Sequence, residues 1–260
     1  ILMLKKIAQL SQRTRLIISG TVAVLIFILV LAPATLVLSA LPGLSIGASG
    51  VSGSLWNGSA QRISIDGFSL NATRWTIKPL ALLGGALELR LLTSWPGGEF
   101  EGDLSAGITG SLQVKNASVF ASLSELSATV GMPASGQLSL NIESLVINNN
   151  WPTQVVGSLN LLGLTTVQPG NSTPIILGDY AAVFTNKVVN DENPIIAAIT
   201  DNGGPLELSG KITLTPPNQY LLETKIKPQA NAAENLKQAL KFIAPTDNLG
   251  AHDFKLNGSF

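Results

Sequence analysis

The sequence predicts a mainly β protein, in which a single N-terminal transmembrane helix precedes an extended, twisted, mostly antiparallel sheet with two short helices. Three observations predict this architecture. A long stretch near the N-terminus carries no charge, apolar residues alternate with polar ones along most of the remaining chain, and glycines separate those alternating runs. Charged residues make up only 12% of the chain, well below the roughly 25% of ordinary soluble domains.

The membrane helix is predicted from Leu16 to Leu38. No Asp, Glu, Lys or Arg occurs anywhere from Leu16 to Gln61, and residues 22–31 are all Val, Leu, Ile or Phe except for one alanine. About 23 helical residues at about 1.5 Å each span roughly 34 Å, enough to cross the hydrocarbon core of a bilayer. A cleaved signal peptide is the alternative, since residues 38–40 resemble a small-residue cleavage site, although its apolar core would be shorter.

Basic residues set the predicted orientation of this helix. All the charges that precede the span are positive, and no charge follows it closely. The positive-inside rule therefore places residues 1–15 in the cytoplasm and the residues from about 40 onward on the other side of the membrane. The basic residues that determine this topology are Lys5, Lys6, Arg13 and Arg15.

Charge and cysteine content exclude several classes of function. The chain has 16 basic and 16 acidic residues, and because four basic residues precede the span, the rest of the chain is mildly acidic. Nucleic acid is therefore not an expected partner, since its binding depends on clustered positive charge. The chain has no cysteine, which excludes disulfides, thiolate nucleophiles and cysteine-ligated metals, and we expect no cofactor.

The body of the chain, residues 39–260, is predicted to form roughly ten to twelve strands. Alternating apolar residues indicate a sheet with one buried face and one face toward water. A weak recurrence of strands, a helical stretch and a glycine turn suggests two similar halves, residues 45–130 and 131–260, without amounting to a repeat. The clearest alternating runs are Leu87–Leu91, Leu138–Ile142, Leu206–Leu208, Ile212–Leu214 and Tyr220–Ile226.

Two stretches have helical spacing and are predicted to be the short helices. In Val119–Val130 the apolar residues recur close to every three or four positions, and a Gly-Met-Pro sequence follows. Residues 232–243 have the same spacing, with Asn231 as the expected N-terminal cap and Pro245 after the end. Each is expected to lie against the sheet.

Residues that could carry chemistry are few and scattered. Residues 43–47 fit the G-x-S-x-G pattern around Ser45, but a nucleophile elbow needs a strand-to-helix turn in an α/β sheet, and this stretch directly follows the predicted span. His252 is the only histidine, so neither a zinc site nor a catalytic triad is expected. Three carboxylates alternate along residues 99–103 and could bind calcium, although a solvated edge strand is favoured. We predict that the protein is not an enzyme.

The most informative motifs lie between residues 51 and 87. Trp56 and Trp75 are expected at two strand positions close to the membrane, as amphipathic anchors or, more commonly, as core side chains. The apolar residues 80–83 are expected to form a turn that packs on the sheet or on the lipid surface. The residues of the two motifs are Gly53, Trp56, Gly58, Trp75, Pro79, Leu82, Leu83 and Gly84.

These motifs resemble those of the protein N family of the bacterial type II (general) secretion pathway. The order of basic N-terminus, membrane span, Gly-Ser-Leu-Trp-Asn-Gly motif and Trp-Pro-Leu-Leu-Gly block is similar to the order in that family. Residues 136–140, 201–210, 240–250 and 255–258 are similar as well, so the resemblance covers nearly the whole chain. It departs at residues 250–252, where the family often has an arginine after the glycine and this chain has Gly-Ala-His.

The resemblance implies an accessory subunit of the type II secretion system, anchored in the bacterial inner membrane with residues 39–260 in the periplasm. Such a subunit would act by protein–protein docking in the export of folded proteins across the outer membrane. The implied partners are other secretion-system components, with the inner-membrane protein C first, and the family has no known catalytic residues. The alternative is a periplasmic protein that binds or transfers lipid or another hydrophobic ligand in an apolar β-groove, because strand alternation is the same in both cases.

Overall fold

The computed structural model describes residues 20–21, 32–35, 46–108, 110–125, 134–167, 173–186, 194–243, 245–248 and 250–259. The chain divides into two compact units, Ile1–Ile77 (unit 1) and Lys78–Phe260 (unit 2). Most of the predicted span lies outside the described residues, as do the four basic residues that precede it. Among the helices within the described ranges, none has both the length and the apolar character needed to cross a bilayer.

Unit 1 contains a small antiparallel sheet. Strand β3 pairs with β1 and β4, and the short β2 also pairs with β3. The Asp66-Gly67 turn that joins β3 to β4 has positive φ angles of 49° and 88°, as expected for a tight hairpin with an Asp-Gly sequence. The strands are β1 (Ile46–Ser49), β2 (Ser52–Gly53), β3 (Asn57–Ile65) and β4 (Phe68–Ile77).

Unit 2 is a long antiparallel meander in which the strands pair in chain order. A 3-10 helix (Pro79–Gly84) precedes the first of these strands, and an α-helix, α1 (Glu234–Ile243), lies between the last two. The strands are β5 (Ala86–Trp95), β6 (Gly98–Gly107), β7 (Leu112–Ser122), β8 (Ala134–Asn148), β9 (Trp151–Val167), β10 (Pro174–Asn186), β11 (Ile195–Gly203), β12 (Leu206–Thr215), β13 (Gln219–Pro228) and β14 (His252–Ser259).

The prediction of a mainly β fold is confirmed. All the alternating runs identified in the sequence lie on strands, namely on β5, β8, β12 and β13. Strands β5, β8 and β12 each pair antiparallel with the strand that follows them, as expected for strands whose two faces differ in polarity. The two similar halves suggested by the sequence stay a prediction.

The second predicted helix is confirmed, with a later start. Helix α1 begins at Glu234, since the Lys237 amide donates a hydrogen bond to the carbonyl oxygen of Ala233 (3.1 Å). Asn231 therefore lies before the first turn and is not the cap that we predicted. The apolar face of α1 contributes to a buried cluster that consists of Ile175, Leu206, Leu236 and Leu240, with Leu177 and Ile226 packed against it.

The first predicted helix is wrong for residues 119–122 and confirmed for residues 123–125. Strand β7 continues to Ser122, where Val119 lies between Phe100 of β6 and Leu140 of β8. Only residues 123–125 are helical in the described part of this stretch, and residues 126–130 lie outside it. The apolar spacing fits a strand as well as a helix when both faces of the strand carry apolar side chains, and pairing on both sides favours the strand.

Tyr180 gives the fold a pH dependence at alkaline pH. Its hydroxyl donates a hydrogen bond to the carbonyl oxygen of Leu177 (2.6 Å), and burial raises the pKa of Tyr180 to about 12, with the Asp201 and Asp179 carboxylates adding to the effect. Because the fold favours the neutral phenol, its stabilising contribution is complete below the unfolded pKa of about 10 and is lost as the pH rises through about 12.

We expect the variant Tyr220→Phe, in which Tyr180 is the one remaining tyrosine, to form phenolate in the folded state with a midpoint near pH 12. Ultraviolet absorbance of the phenolate measures this midpoint, and the same chain in denaturant serves as the control, with a midpoint near about 10. A common midpoint in both states would contradict the effect of burial on Tyr180.

Candidate functional site

The first motif forms a tight turn between β2 and β3, which we call the tryptophan turn (residues 53–58). Gly53 of β2 pairs with Gly58 of β3, and Gly53 has a φ of +84°, in the region that glycine adopts without steric cost. Between them, the Ser54 amide donates to the Asn57 carbonyl oxygen (2.9 Å), and the Asn57 amide donates to the Ser54 hydroxyl (3.1 Å). Trp56 therefore lies in a turn, and the prediction that it lies on a strand is wrong.

Trp75 of β4 holds the tryptophan turn in place by packing and by a hydrogen bond. Trp75 lies directly opposite Gly58, and a Cβ atom at position 58 would be only 2.4 Å from the Trp75 ring. The indole Nε1 of Trp75 donates a hydrogen bond to the Leu55 carbonyl oxygen (3.0 Å), and the Ile77 amide donates to the Trp56 carbonyl oxygen (2.7 Å). Because Gly58 has no Cβ atom, the Trp75 indole has room to reach the turn.

The tryptophan turn also contacts residues at the end of the predicted membrane span. The Leu55 amide donates a hydrogen bond to the Ala32 carbonyl oxygen (2.8 Å), and Pro33 forms an isolated β-bridge with Ser54. Ala34 is buried. Residues 32–35 are consequently held against the turn, which joins the first motif to the C-terminal part of the predicted span.

The second motif is the 3-10 helix at the start of unit 2, and both of its ends are fixed. The Lys78 amide donates to the Glu88 carbonyl oxygen (2.9 Å), and the Lys78 ammonium forms an ion pair with the Glu88 carboxylate (2.9 Å). The hydrogen bond from the Lys78 ammonium to the Glu88 carboxylate raises the pKa of Lys78 above its usual value. At the other end, Gly85 adopts a left-handed conformation (φ 75°), and its amide donates to the Leu82 carbonyl oxygen (3.1 Å).

Large apolar side chains are exposed around this 3-10 helix. Leu83 is 87% exposed, and Leu80 and Leu82 are also exposed. Ile108, whose amide donates to the Gly85 carbonyl oxygen (3.1 Å), is 88% exposed. Of the two expected contacts, packing on the sheet is therefore wrong for Leu80 and Leu83, and contact with the lipid surface stays a prediction. We call Leu80, Leu82, Leu83 and Ile108 the apolar cluster of unit 2.

The residues considered for catalysis and metal binding do not form a site in the described part of the chain. Ser45 lies outside the described residues, and His252, the first residue of β14, is only 3% exposed. Glu101 and Asp103 lie beside Arg90, at 2.5 and 3.7 Å from its guanidinium nitrogens. Strand β6, which carries both acids, pairs with β5 and β7, so the prediction of an edge strand is wrong. Among the described residues, no group of three or more His, Asp or Glu side chains could hold a metal ion.

A pocket in unit 1 was not predicted from the sequence. It has a volume of about 270 Å³ and is lined in part by Ser52, Ser59, Gln61 and Arg74. The Ser52 and Ser59 hydroxyls are 2.9 Å apart and form a hydrogen bond. No sequence pattern indicated this pocket, because its residues come from three strands and meet only through the register of the sheet.

Comparison with known proteins identifies the family. The family model described as "Type II secretion system (T2SS), protein N" matches residues 45–255. The chain is 26% identical over 251 residues to "Type II secretion system protein N" of Aeromonas hydrophila, covering 91% of this chain and 94% of that protein. It is 26% identical over 242 residues to the protein of the same description from Vibrio cholerae serotype O1, covering 87% of this chain and 90% of that protein. No solved structure matches the chain significantly. The family match covers most of the chain, which therefore belongs to the type II secretion system protein N family.

Proposed function

We propose that this chain is a non-enzymatic accessory subunit of the type II secretion system, anchored in the inner membrane by residues 16–38. In this proposal residues 1–15 are cytoplasmic, residues 39–260 are periplasmic, and the subunit supports export of folded proteins across the outer membrane by docking to other components. Family membership supports a role as a component of the secretion system. The uncharged stretch from Leu16 to Gln61, preceded only by positive charges, supports the anchor and its orientation.

The observation that carries the docking mechanism is the apolar cluster of unit 2. Leu83 is 87% exposed and belongs to a 3-10 helix whose backbone is hydrogen-bonded at both ends. Ile108 is 88% exposed and its amide donates to the carbonyl oxygen of Gly85 at the end of this helix, so the backbone holds both residues at the surface. Exposed apolar groups of this kind mark contact surfaces, because burying them against a partner removes apolar area from water. The second family motif, from Trp75 to Gly84, includes three of the four cluster residues.

The inner-membrane protein C is the first partner to test. A single-span subunit is held next to other proteins of the same membrane, so even a modest apolar contact becomes effective at the high local concentration that anchoring provides. The exposed surface is small, which fits a docking contact that supplements other contacts in a large assembly.

A photo-crosslinking amino acid at Leu83 of the complete protein in its native membrane should crosslink to a secretion-system subunit. The matched control position is Gln238, an exposed polar residue on α1 of the same unit, where no crosslink is expected. The variant Leu83→Ser should lower the crosslinking and the secretion of exported proteins without lowering the amount of the subunit in the membrane.

Two results would contradict the docking mechanism. Equal crosslinking from Leu83 and Gln238 would show that the apolar cluster is not a preferred contact. Purification of the subunit with stoichiometric lipid on its periplasmic part and without protein partners would favour the lipid-binding alternative.

A further inference from the structure

The pocket of unit 1 carries the hydrogen-bond donors that an oxyanion requires. Arg74 on β4 lies directly opposite Ser59 on β3, and Ser52 on β2 lies opposite Ser59 on its other side. The two serine hydroxyls share one hydrogen bond, which leaves one hydroxyl hydrogen and the amide of Gln61 for a ligand. A guanidinium matches the geometry of a phosphate group and can bind it with two parallel hydrogen bonds.

Within the described ranges, no acidic side chain forms an ion pair with the arginine of this pocket. Asp66 is the one acidic residue among the described residues of unit 1, and it lies in the turn after the Ile65–Phe68 pair. This turn is at the other end of the β3–β4 hairpin from Arg74, about 20 Å away at about 3.4 Å per residue. Arg74 is exposed and has no ion pair within the described residues, so its charge is available to an anionic ligand.

The backbone around the pocket is irregular. The ladder between β3 and β4 lacks the pair of Gln61 with Ala72, although the register is the same on both sides of this gap. Ala72, at this gap, has a φ of +48°, which is unfavourable for a residue with a Cβ atom. Such conformations are retained more often at binding sites than elsewhere in proteins.

The distance between this pocket and the membrane residues is short. Ser52 is two residues from Ser54, which is bridged to Pro33, and two extended residues cover at most about 7 Å. A helix from Leu16 to residue 31 would cover about 24 Å, so residues 32 and 33, which are not helical, would lie near the outer boundary of a hydrocarbon core of about 30 Å. The headgroup layer on each side of a bilayer is roughly 5–8 Å thick, so the pocket lies within reach of headgroups if residues 16–38 span the membrane.

We propose that the pocket lined by Ser52, Ser59, Gln61 and Arg74 binds the phosphate of an anionic phospholipid headgroup at the periplasmic face of the inner membrane. This inference rests on the membrane anchor of the proposed function and adds a lipid-binding site to it. The neighbouring tryptophan turn suits this location, because tryptophan side chains favour the boundary between hydrocarbon and water.

Native mass spectrometry of the complete protein in detergent micelles, titrated with phosphatidylglycerol, tests this site. We expect Arg74→Gln to weaken lipid retention about tenfold, the effect of losing a charge-assisted hydrogen bond. Arg62→Gln is the matched control, because it removes the same charge from the same hairpin outside the pocket and should change retention by less than about twofold. Equal weakening by both substitutions, or none by Arg74→Gln, would overturn the proposal.

A competition experiment identifies the class of ligand, and a second variant tests the pocket if the first one misfolds. Inorganic phosphate in excess should not displace phosphatidylglycerol, and its doing so would assign the pocket to a soluble anion instead of a lipid. If Arg74→Gln fails to fold, Ser52→Asp places a repelling charge in the pocket and should weaken lipid retention about tenfold. Ser49→Asp, at an exposed position of β1 outside the pocket, is its control, and similar results for the two aspartates would overturn the site.

The failure of the anchor and the failure of the pocket give different results. Alkaline carbonate extraction of native membranes should leave the wild-type chain in the membrane fraction. Its release would contradict the anchor and with it the proposed function. Retention in the membrane, together with equal lipid binding by Arg74→Gln and Arg62→Gln, would overturn the pocket alone.

Discussion

Replacing Gly58 with alanine should lower the denaturation midpoint of unit 1, at a cost of about 1–3 kcal/mol in the free energy of unfolding. The new Cβ atom would lie 2.4 Å from the Trp75 ring and 2.8 Å from the Ser54 carbonyl oxygen, so the indole has to move. Its movement also breaks the hydrogen bond from Trp75 Nε1 to the Leu55 carbonyl oxygen, which contributes about 1 kcal/mol. We expect the tryptophan turn to lose its fixed structure.

Gly47→Ala is the matched control for this substitution. Both glycines lie on strands of unit 1 and have backbone conformations that alanine adopts readily, but a Cβ at position 47 meets only the Cβ of Ser64 at 3.8 Å. Urea denaturation followed by tryptophan fluorescence should therefore show a lower midpoint for Gly58→Ala and little change for Gly47→Ala. Equal midpoints for the two variants would show that the packing of Trp75 on Gly58 does not stabilise the turn.

Leu240→Ala should destabilise unit 2 by about 2–5 kcal/mol, the usual cost of removing a buried leucine side chain. Leu240 is 5% exposed and belongs to the small buried cluster between α1 and the sheet, together with Leu206 of β12 and Ile175 of β10. The cluster contains few side chains, so the cavity has few neighbours that could fill it. We expect α1 to detach before the strands separate.

Hydrogen exchange of the complete protein measures this effect on α1. Leu240→Ala should lower the protection of the amides of α1 far more than that of the amides of β6 and β7, which β8 and β9 separate from the cluster strand β10. Gln238→Ala is the control on the same helix, because Gln238 is exposed and alanine favours helix, and it should leave protection nearly unchanged. Uniform loss of protection throughout unit 2 would mean that α1 and the sheet unfold together.

Sequence patterns predicted the parts of the fold that depend on local periodicity. The alternation in Leu138–Ile142 predicts a strand because neighbouring side chains must point to opposite faces, and β8 contains this run. The stretch around Val119 has apolar side chains on both faces of its strand, so its spacing does not distinguish a strand from a helix. Pairing with β6 and β8 decides between the two, and pairing partners are not visible in a local window.

The candidate site was predicted only as a set of motif residues. The sequence identifies Gly58 and Trp75 as members of two motifs, but their direct opposition depends on the register between β3 and β4. The hydrogen bond between Leu55 and Ala32 joins residues that lie far apart in the chain, and no periodicity indicates it. Leucines in a turn ordinarily pack inward, but Leu83 is exposed. Its exposure therefore indicates a contact surface, which the sequence alone does not reveal.

The chain-order pairing of unit 2 has a consequence for how the protein acquires its structure. From β6 to β14 each described strand pairs with the strand that precedes it in the chain, so no strand waits for a distant segment to be synthesised. Low sequence separation between contacting residues favours rapid folding. The sheet can therefore grow at its C-terminal edge as the polypeptide emerges, and the outermost strand at each moment serves as the template for the next one.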